Sequence, residues 1–143
     1  MRTNCRFAMA VHVLTLLAYK DGDPVSSEFL SASVNTNPVI IRRLLLLLQQ
    51  AKLVETRKGA KAGSRLSRSA ARITLAEVYR AVADSQPFKV PRRKPNGKCP
   101  VGHGIRAALK PVFISAQAAL ERDLASTTLA GIVESIKVST RLA

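Results

Sequence analysis

Tryptophan is absent from these 143 residues, and aromatic residues of every kind make up only 4%. A core built from such a chain must be mostly Leu, Ile, Val and Ala, which suits helix packed on helix. Cysteine is scarce as well. Cys5 and Cys99, 94 positions apart, form no disulfide framework and suit a reducing cytosol, so a cytoplasmic location is expected. Acidic residues number nine against 23 Lys and Arg. No paired carboxylates, phosphate-cradling loop or metal-ligand cluster stands out, and a lone cysteine with a distant histidine is weak support for a nucleophile. An enzyme is not expected, and no metal site is read. No apolar run is long enough to span a bilayer, so no membrane partner is expected either. The run Phe7–Tyr19 behind Arg2 and Arg6 resembles a signal peptide in outline. It contains His12 and lacks a small-x-small cleavage site, so it reads as a buried first helix, Asn4 to Tyr19, apolar almost all round. There is no internal repeat.

What the chain does have is positive charge: a net +14 and a pI near 10.9, on a background that is 47% apolar. The charge is concentrated. Residues 39–72 carry nine Lys and Arg against the single acid Glu55, and residues 85–98 add five more with none. From Ser115 to the end, three basic residues balance three acidic ones. A basic centre followed by a neutral end implies a nucleic-acid module followed by a protein–protein module.

The stretch Asn37-Pro38-Val39-Ile40-Ile41-Arg42-Arg43-Leu44 organises the rest. Asn is a favoured helix cap, and Pro suits the first helical position. At about 100° per residue, Ile41, Leu44, Leu45 and Leu48 share one face while Val39, Arg42, Arg43 and Gln50 share the other. Upstream, the turn Lys20–Pro24 leads to Ser26 and Glu28, which open a short helix carrying Phe29, Leu30, Ala32 and Val34. Helix, tight turn and helix is the helix-turn-helix arrangement, with the Asn37 helix for recognition. Lys52–Arg57 and Ser64–Ser67 read as two short strands around the basic, glycine-bracketed loop Lys58–Gly63, which makes a wing. Thr74 and Glu77 form a capping box, with Ile73 stapling on Val78, and open a helix through Ala83. Ser85–Pro100, with four prolines and five basic residues, reads as a flexible linker. From Gly102 the apolar positions Ile105, Leu109, Val112, Ala116, Leu120 and Leu124 predict a long helix whose seam meets a second copy. Pro111 should kink that helix or mark a true start near Lys110. Thr127 and Thr128 cap a last helix that should pack on the same seam.

The candidate DNA contacts follow from this layout. Arg42 and Arg43 are placed to reach guanine edges or phosphates, with Thr36, Asn37, Pro38 and Val39 leading the helix in. Arg57, Lys58, Lys61 and Arg65 on the wing are placed for phosphates, and Ser26 and Ser27 stand at a helix N-terminus where a phosphate could be bound. Cys99 lies in the basic linker beside Lys98, with His103 four residues on. Cationic neighbours favour the nucleophilic form of a thiol, which makes Cys99 the leading sensor candidate, with Cys5, His12 and His103 behind it.

Taken in order, Asn37-Pro-Val-Ile-Ile-Arg-Arg-Leu-Leu, Leu53-Val-Glu, the wing, Ile73-Thr-Leu-Ala-Glu-Val-Tyr-Arg-Ala-Val, Cys99-Pro-Val-Gly and Thr127-Thr-Leu-Ala resemble the bacterial winged helix-turn-helix regulators of the Rrf-two family. The resemblance covers nearly the whole chain. It implies a homodimeric, cytoplasmic transcription factor, usually a repressor, dimerised by a long C-terminal helix; many members sense redox state, nitric oxide, iron or a metabolite. Three departures stand out. Lys52 replaces a usual Gly, so the recognition helix should lack its left-handed cap. Ser64 replaces an aromatic in a wing usually richer in glycine. Leu46 and Leu47 replace polar residues and leave apolar surface beside the DNA-facing side. Cluster-binding relatives use three cysteines in the linker, where this chain has one, so no iron–sulfur cofactor is expected, although Cys5, His12 and His103 could complete a set across a dimer.

The expected architecture is mainly α with a small β-hairpin wing: a winged helix-turn-helix over residues 1–84, a basic linker over 85–100 and a helical dimerisation region over 101–143. The expected function is sequence-specific DNA binding by a homodimeric regulator, a repressor responsive through Cys99. The alternative is a sequence-indifferent binder of RNA or chromosomal DNA, which accounts for the charge but not for the capped helix pair.

Overall fold

A computed structural model describes residues 3–83 and 86–142. The boundary expected between residues 84 and 85 lies outside the described residues. The first helix, α1, spans Thr3–Tyr19, followed by α2 (Ser27–Val34) and α3 (Pro38–Gln50). Two antiparallel strands come next, β1 (Val54–Arg57) and β2 (Gly63–Leu66), then a 3₁₀ turn at Ala70–Arg72, α4 (Leu75–Val82), α5 (Pro100–Ala125) and α6 (Leu129–Leu142). The strands pair with Val54 opposite Leu66, Glu55 opposite Arg65, Thr56 opposite Ser64 and Arg57 opposite Gly63. This is the winged helix-turn-helix that the sequence pattern predicts.

The core is aliphatic, as the lack of aromatics requires. Val13, Leu14 and Leu17 of α1 meet Leu30 of α2, Ile41, Leu44 and Leu48 of α3, and Val78 and Val82 of α4. Phe7 and Tyr79 add one edge-to-face contact between α1 and α4, with ring centroids 5.6 Å apart. The first helix is not buried all round. Cys5, Ala8, His12 and Tyr19 are exposed, because the helices packed against it leave one side uncovered.

The end of α3 departs from expectation. Lys52 takes the left-handed conformation (φ 60°) that a glycine usually supplies. Its N–H donates to Gln49 O at 2.9 Å, and the next N–H, of Leu53, donates to Leu48 O at 2.9 Å. That pair of bonds is a Schellman cap, and Leu48 and Leu53 make its buried apolar contact. The cap is therefore formed, by a lysine, and β1 begins two residues later than expected because Lys52 is spent on the turn.

The capping box at α4 is half made. Glu77 N–H donates to Thr74 Oγ1 at 3.3 Å, but the Glu77 carboxylate pairs with Arg68 instead of reaching back. Helix α5 begins at Pro100 and runs through Pro111 without a break, so a start near Lys110 is excluded. Pro111 removes one backbone donor, and both it and Ala107, whose carbonyl loses that partner, are exposed to water.

The C-terminal helix is the largest correction. It packs not on the α5 seam but on the head: Leu129 is fully buried in the common core and Val133 is buried too. Leu129 N–H donates to Ile73 O at 3.0 Å and Leu75 N–H to Thr127 O at 2.9 Å, tying the start of α6 to the start of α4. No residue of α5 is buried. Of the expected seam only Ile105 and Val112 are exposed; Leu109, Ala116, Leu120 and Leu124 are half-buried. The exposed stripe is instead Val101, Ile105, Ala108, Val112, Ser115 and Ala119, spaced four and three apart, with Val101 69% and Val112 57% accessible.

Candidate nucleic-acid interface

The Asn37 side chain accepts from Val39 N–H at 2.8 Å, and Pro38 occupies the first turn, so α3 starts where its sequence says it should. Ile41, Leu44, Leu45 and Leu48 anchor its back in the core. Val39, Arg42 and Arg43 then stand exposed on the front, with Gln50 behind them. Thr36, Asn37 and Pro38 form the entry to this helix. On α2, Ser26 Oγ accepts from Phe29 N–H at 3.1 Å, so its hydroxyl oxygen is already a cap. The αL turn between α2 and α3 is made by Asn35 (φ 61°), a residue that tolerates it.

The wing is fixed to the body by backbone. Val25 N–H donates to Ser64 O at 2.9 Å and Ser64 N–H to Val25 O at 2.8 Å. A Cβ on Gly63 would lie 2.8–2.9 Å from the Val25 backbone, and Gly63 has φ 143°, so only glycine fits that crossing. Ser64 faces inward, 2% exposed, with its hydroxyl 3.2 Å from Thr56 Oγ1. A bulky aromatic would not fit this buried position. Arg57, Lys58 and Lys61 are exposed on and beside the hairpin tip, while Arg65 Nε pairs with Glu55 Oε2 at 3.2 Å across the strands.

Between the start of α2, the front of α3 and the wing lies a groove of about 400 Å³. Ser26, Ser27, Arg42 and Arg57 from the expected set line it together, whereas Lys58 and Lys61 lie beyond it on the hairpin tip. Glu28, Leu46 and Gln49 line it as well and are not among the contacts that the sequence pattern picks out. Glu28 is legible in sequence only as a first-turn acid. Its pairing with Arg42, Oε1 to Nη2 at 2.8 Å, joins residues 14 positions apart on different helices. Hydrogen bonding from its own backbone amide lowers the Glu28 carboxyl pKa; desolvation opposes this, while Arg42, through its hydrogen bond and charge, and Ser27 lower it further. Leu46, exposed as its position implies, also borders a second groove with Ile40, Arg43 and Leu47.

The sensor candidates are dispersed. Cys5 and His12 are exposed on α1, and His12 Nε2 lies 2.9 Å from Ser33 Oγ. Cys99 is exposed at the N-cap of α5 and its thiol makes no capping bond. His103 N–H donates to Cys99 O at 2.9 Å, and the His103 side chain is exposed one turn along. Among the described residues, no three of His, Cys, Asp and Glu gather into a metal-holding group. Among the same residues, no helix is long and apolar enough to cross a membrane.

Comparison with known proteins gives a consistent picture. The Rrf2 model, described as an iron-dependent transcriptional regulator, matches residues 3–135. YwnA of Bacillus subtilis (strain 168), which carries the name of an HTH-type transcriptional regulator, is 42% identical over 130 residues, 91% of this chain and 96% of its own. The crystal structure of a protein described as DNA-binding is 39% identical, with a TM-score of 0.72 over 89% of this chain and 97% of that one. CymR (YrzC), the global cysteine regulator of B. subtilis, shares the fold at 22% identity and a TM-score of 0.68, over 91% of this chain and 94% of its own.

Proposed function

The chain belongs to the Rrf2 family of transcriptional regulators, and from that premise we propose that it is a homodimeric, sequence-specific DNA-binding repressor that takes its signal at Cys99. The observation that carries the proposal is the front of α3. Arg42 and Arg43 stand exposed there on a helix whose back is anchored by four buried aliphatic residues, and Arg57 lines the same groove as Arg42. A rigid helix with arginines forward is the geometry for the major groove, where Arg to guanine is the commonest specific contact. The wing lysines supply phosphate contacts and with them the salt dependence.

The exposed four-three stripe on α5 is suited to the same stripe of a second chain. Two heads so joined would enter successive major grooves about 34 Å apart on a near-palindromic site. Such a dimer bound over a promoter excludes polymerase, hence repression. Cys99 stands where the linker enters α5 and is exposed. Peroxide converts such a thiol to a sulfenic acid with loss of water, and the added oxygen at this junction would alter the spacing of the heads. An iron–sulfur cluster has no part in the proposal: one linker thiol and no gathered ligand group among the described residues do not fit a donor set made mainly of thiolates.

The test is fluorescence anisotropy on DNA from upstream of its own gene, against random duplex at physiological salt, reduced and after mild peroxide, with Cys99→Ser alongside. A preference of at least about tenfold supports specific binding, since nonspecific binding is almost wholly counterion release. Equal affinity for both duplexes across a genomic fragment library overturns it in favour of a sequence-indifferent binder. A peroxide response identical in wild type and Cys99→Ser removes Cys99 from the signal.

A further inference from the structure

The linker does not stand away from α5. Phe88 stacks on Phe113, ring centroids 5.5 Å apart and 22° from parallel. Arg106, one turn below Lys110, donates from Nη2 to the carbonyls of Pro91 and Arg93, the latter at 2.9 Å. Gly102 seats the other end, since a Cβ there would collide with the backbone of Asn96. Held at these points, the linker and α5 enclose a groove of about 570 Å³.

Its lining has two chemistries. Phe88, Val90, Phe113 and Ile114 give an apolar floor, and Lys89, Arg106 and Lys110 give a cationic rim. No acid lines it, and among the described residues no carboxylate is ion-paired with any of the three cations. Arg106 Nε is also buried without a hydrogen-bond partner, an unusual state for a charged donor. Unmatched positive charge around exposed aromatic surface calls for a ligand that is anionic at one end and flat and apolar at the other. At about 100° per residue, Lys110 and Ile114 lie on the opposite side of α5 from Val112, the middle of the exposed stripe, so the groove stays open when the stripe is covered.

We propose that this groove is a binding site for a small aromatic carboxylate, whose ring lies against the Phe88–Phe113 pair and whose carboxylate takes the free donors of Arg106, Lys89 and Lys110. The volume lies within the range of small-molecule sites. The occupant bridges linker and α5, and so fixes the joint on which the head moves; that consequence rests on the DNA-binding proposal above, whereas the site itself does not.

The test uses the full chain without DNA, titrated by isothermal calorimetry with 1-naphthoate and, separately, with the neutral 1-naphthalenemethanol. Phe88 and Lys110 are exposed, so Phe88→Ala and Lys110→Glu should leave the fold intact, checked by circular dichroism. Saturable binding of one 1-naphthoate per chain, weakened about tenfold or more by each substitution and about tenfold or more stronger than the alcohol, is the expected result. No saturable binding at millimolar ligand, or binding unchanged in either variant, or equal binding of the alcohol, overturns the site. Operator affinity is then measured with saturating 1-naphthoate: a change of about threefold or more is expected, and an unchanged affinity overturns the effector role while leaving DNA binding itself to its own measurement.

Discussion

Glu28 Oε1 accepts a hydrogen bond from Arg42 Nη2 at 2.8 Å, so the leading arginine of α3 is held by a carboxylate from α2. The pair is solvent-exposed, and its net worth to folding is small. Its importance is positional: it aims the guanidinium and places one negative charge in a groove otherwise lined by Arg42, Arg57 and uncharged residues. The Glu28 pKa is depressed by its own backbone amide and by Arg42, so the pair is intact at neutral pH and is lost as pH falls through the folded value, below the group's ordinary one. Glu28→Gln should raise affinity for random duplex by about threefold at low salt and narrow the preference for the operator. Arg42→Ala should cost about 1–3 kcal/mol on the operator and much less on random DNA. Anisotropy titrations of both variants on both duplexes check this; equal losses on the two duplexes for Arg42→Ala would make it a phosphate contact only.

Lys52 bears a left-handed conformation that costs a side-chain-bearing residue about 1–2 kcal/mol, part of which glycine would return as unfolded-chain entropy. Lys52→Gly should therefore stabilise the protein by about 0.5–1 kcal/mol, and Lys52→Val should destabilise it by a similar amount or more. Urea denaturation of the three proteins gives the order directly.

Gly63 lets the wing cross Val25 at backbone contact distance. Gly63→Ala forces the two apart and strains a φ of 143°, at a cost of about 1–3 kcal/mol. Amide exchange should rise first at Val25 and Ser64, whose mutual hydrogen bonds hold the wing, and DNA affinity should fall with the displaced tip.

Features written in consecutive residues are legible in the sequence, and features made by distant ones are not. The cap, first turn and buried face of α3 follow from Asn37, Pro38 and the spacing of Ile41, Leu44, Leu45 and Leu48, all local chemistry. Thr74 is legible as a cap for the same reason. The carboxylate of Glu77 is not, because Arg68, nine residues back across a turn, competes for it. Lys52 looks like a missing cap because glycine is the usual αL residue. The buried anchors Leu48 and Leu53 on either side enforce that turn without one. Of the candidate contacts, the arginines of α3 are visible in sequence, whereas the acid that holds Arg42 is not.

The stripe on α5 carries its own prediction. Val112 is 57% accessible and Ile105 36%, and neither belongs to the buried core, so replacing them leaves that core intact. Ile105→Asp with Val112→Asp places charges at the seam and should convert a dimer to a folded monomer, read by sedimentation at micromolar concentration with an unchanged helical spectrum. Operator affinity should fall far more than affinity for random duplex, because one head makes half the base contacts but retains its own phosphate contacts. A double variant that sediments like the wild type would mean that the stripe is not the seam.

The position of α6 makes the last prediction the most direct test of the fold. The neutral C-terminal segment reads in sequence as one module with α5, yet its first residue, Leu129, is completely buried in the head, and its N–H bonds Ile73 O from 56 positions away. Leu129→Ala removes three carbon atoms from that core, with no solvent able to relax into the space, and should cost about 2–5 kcal/mol. Ile136 is on the same helix but 44% exposed, and Ile136→Ala should cost well under half as much. Were α6 instead part of a dimer seam, both losses would depend on protein concentration. Urea midpoints measured at two concentrations about tenfold apart therefore separate the cases: a concentration-independent loss for Leu129→Ala means that α6 completes the head of its own chain.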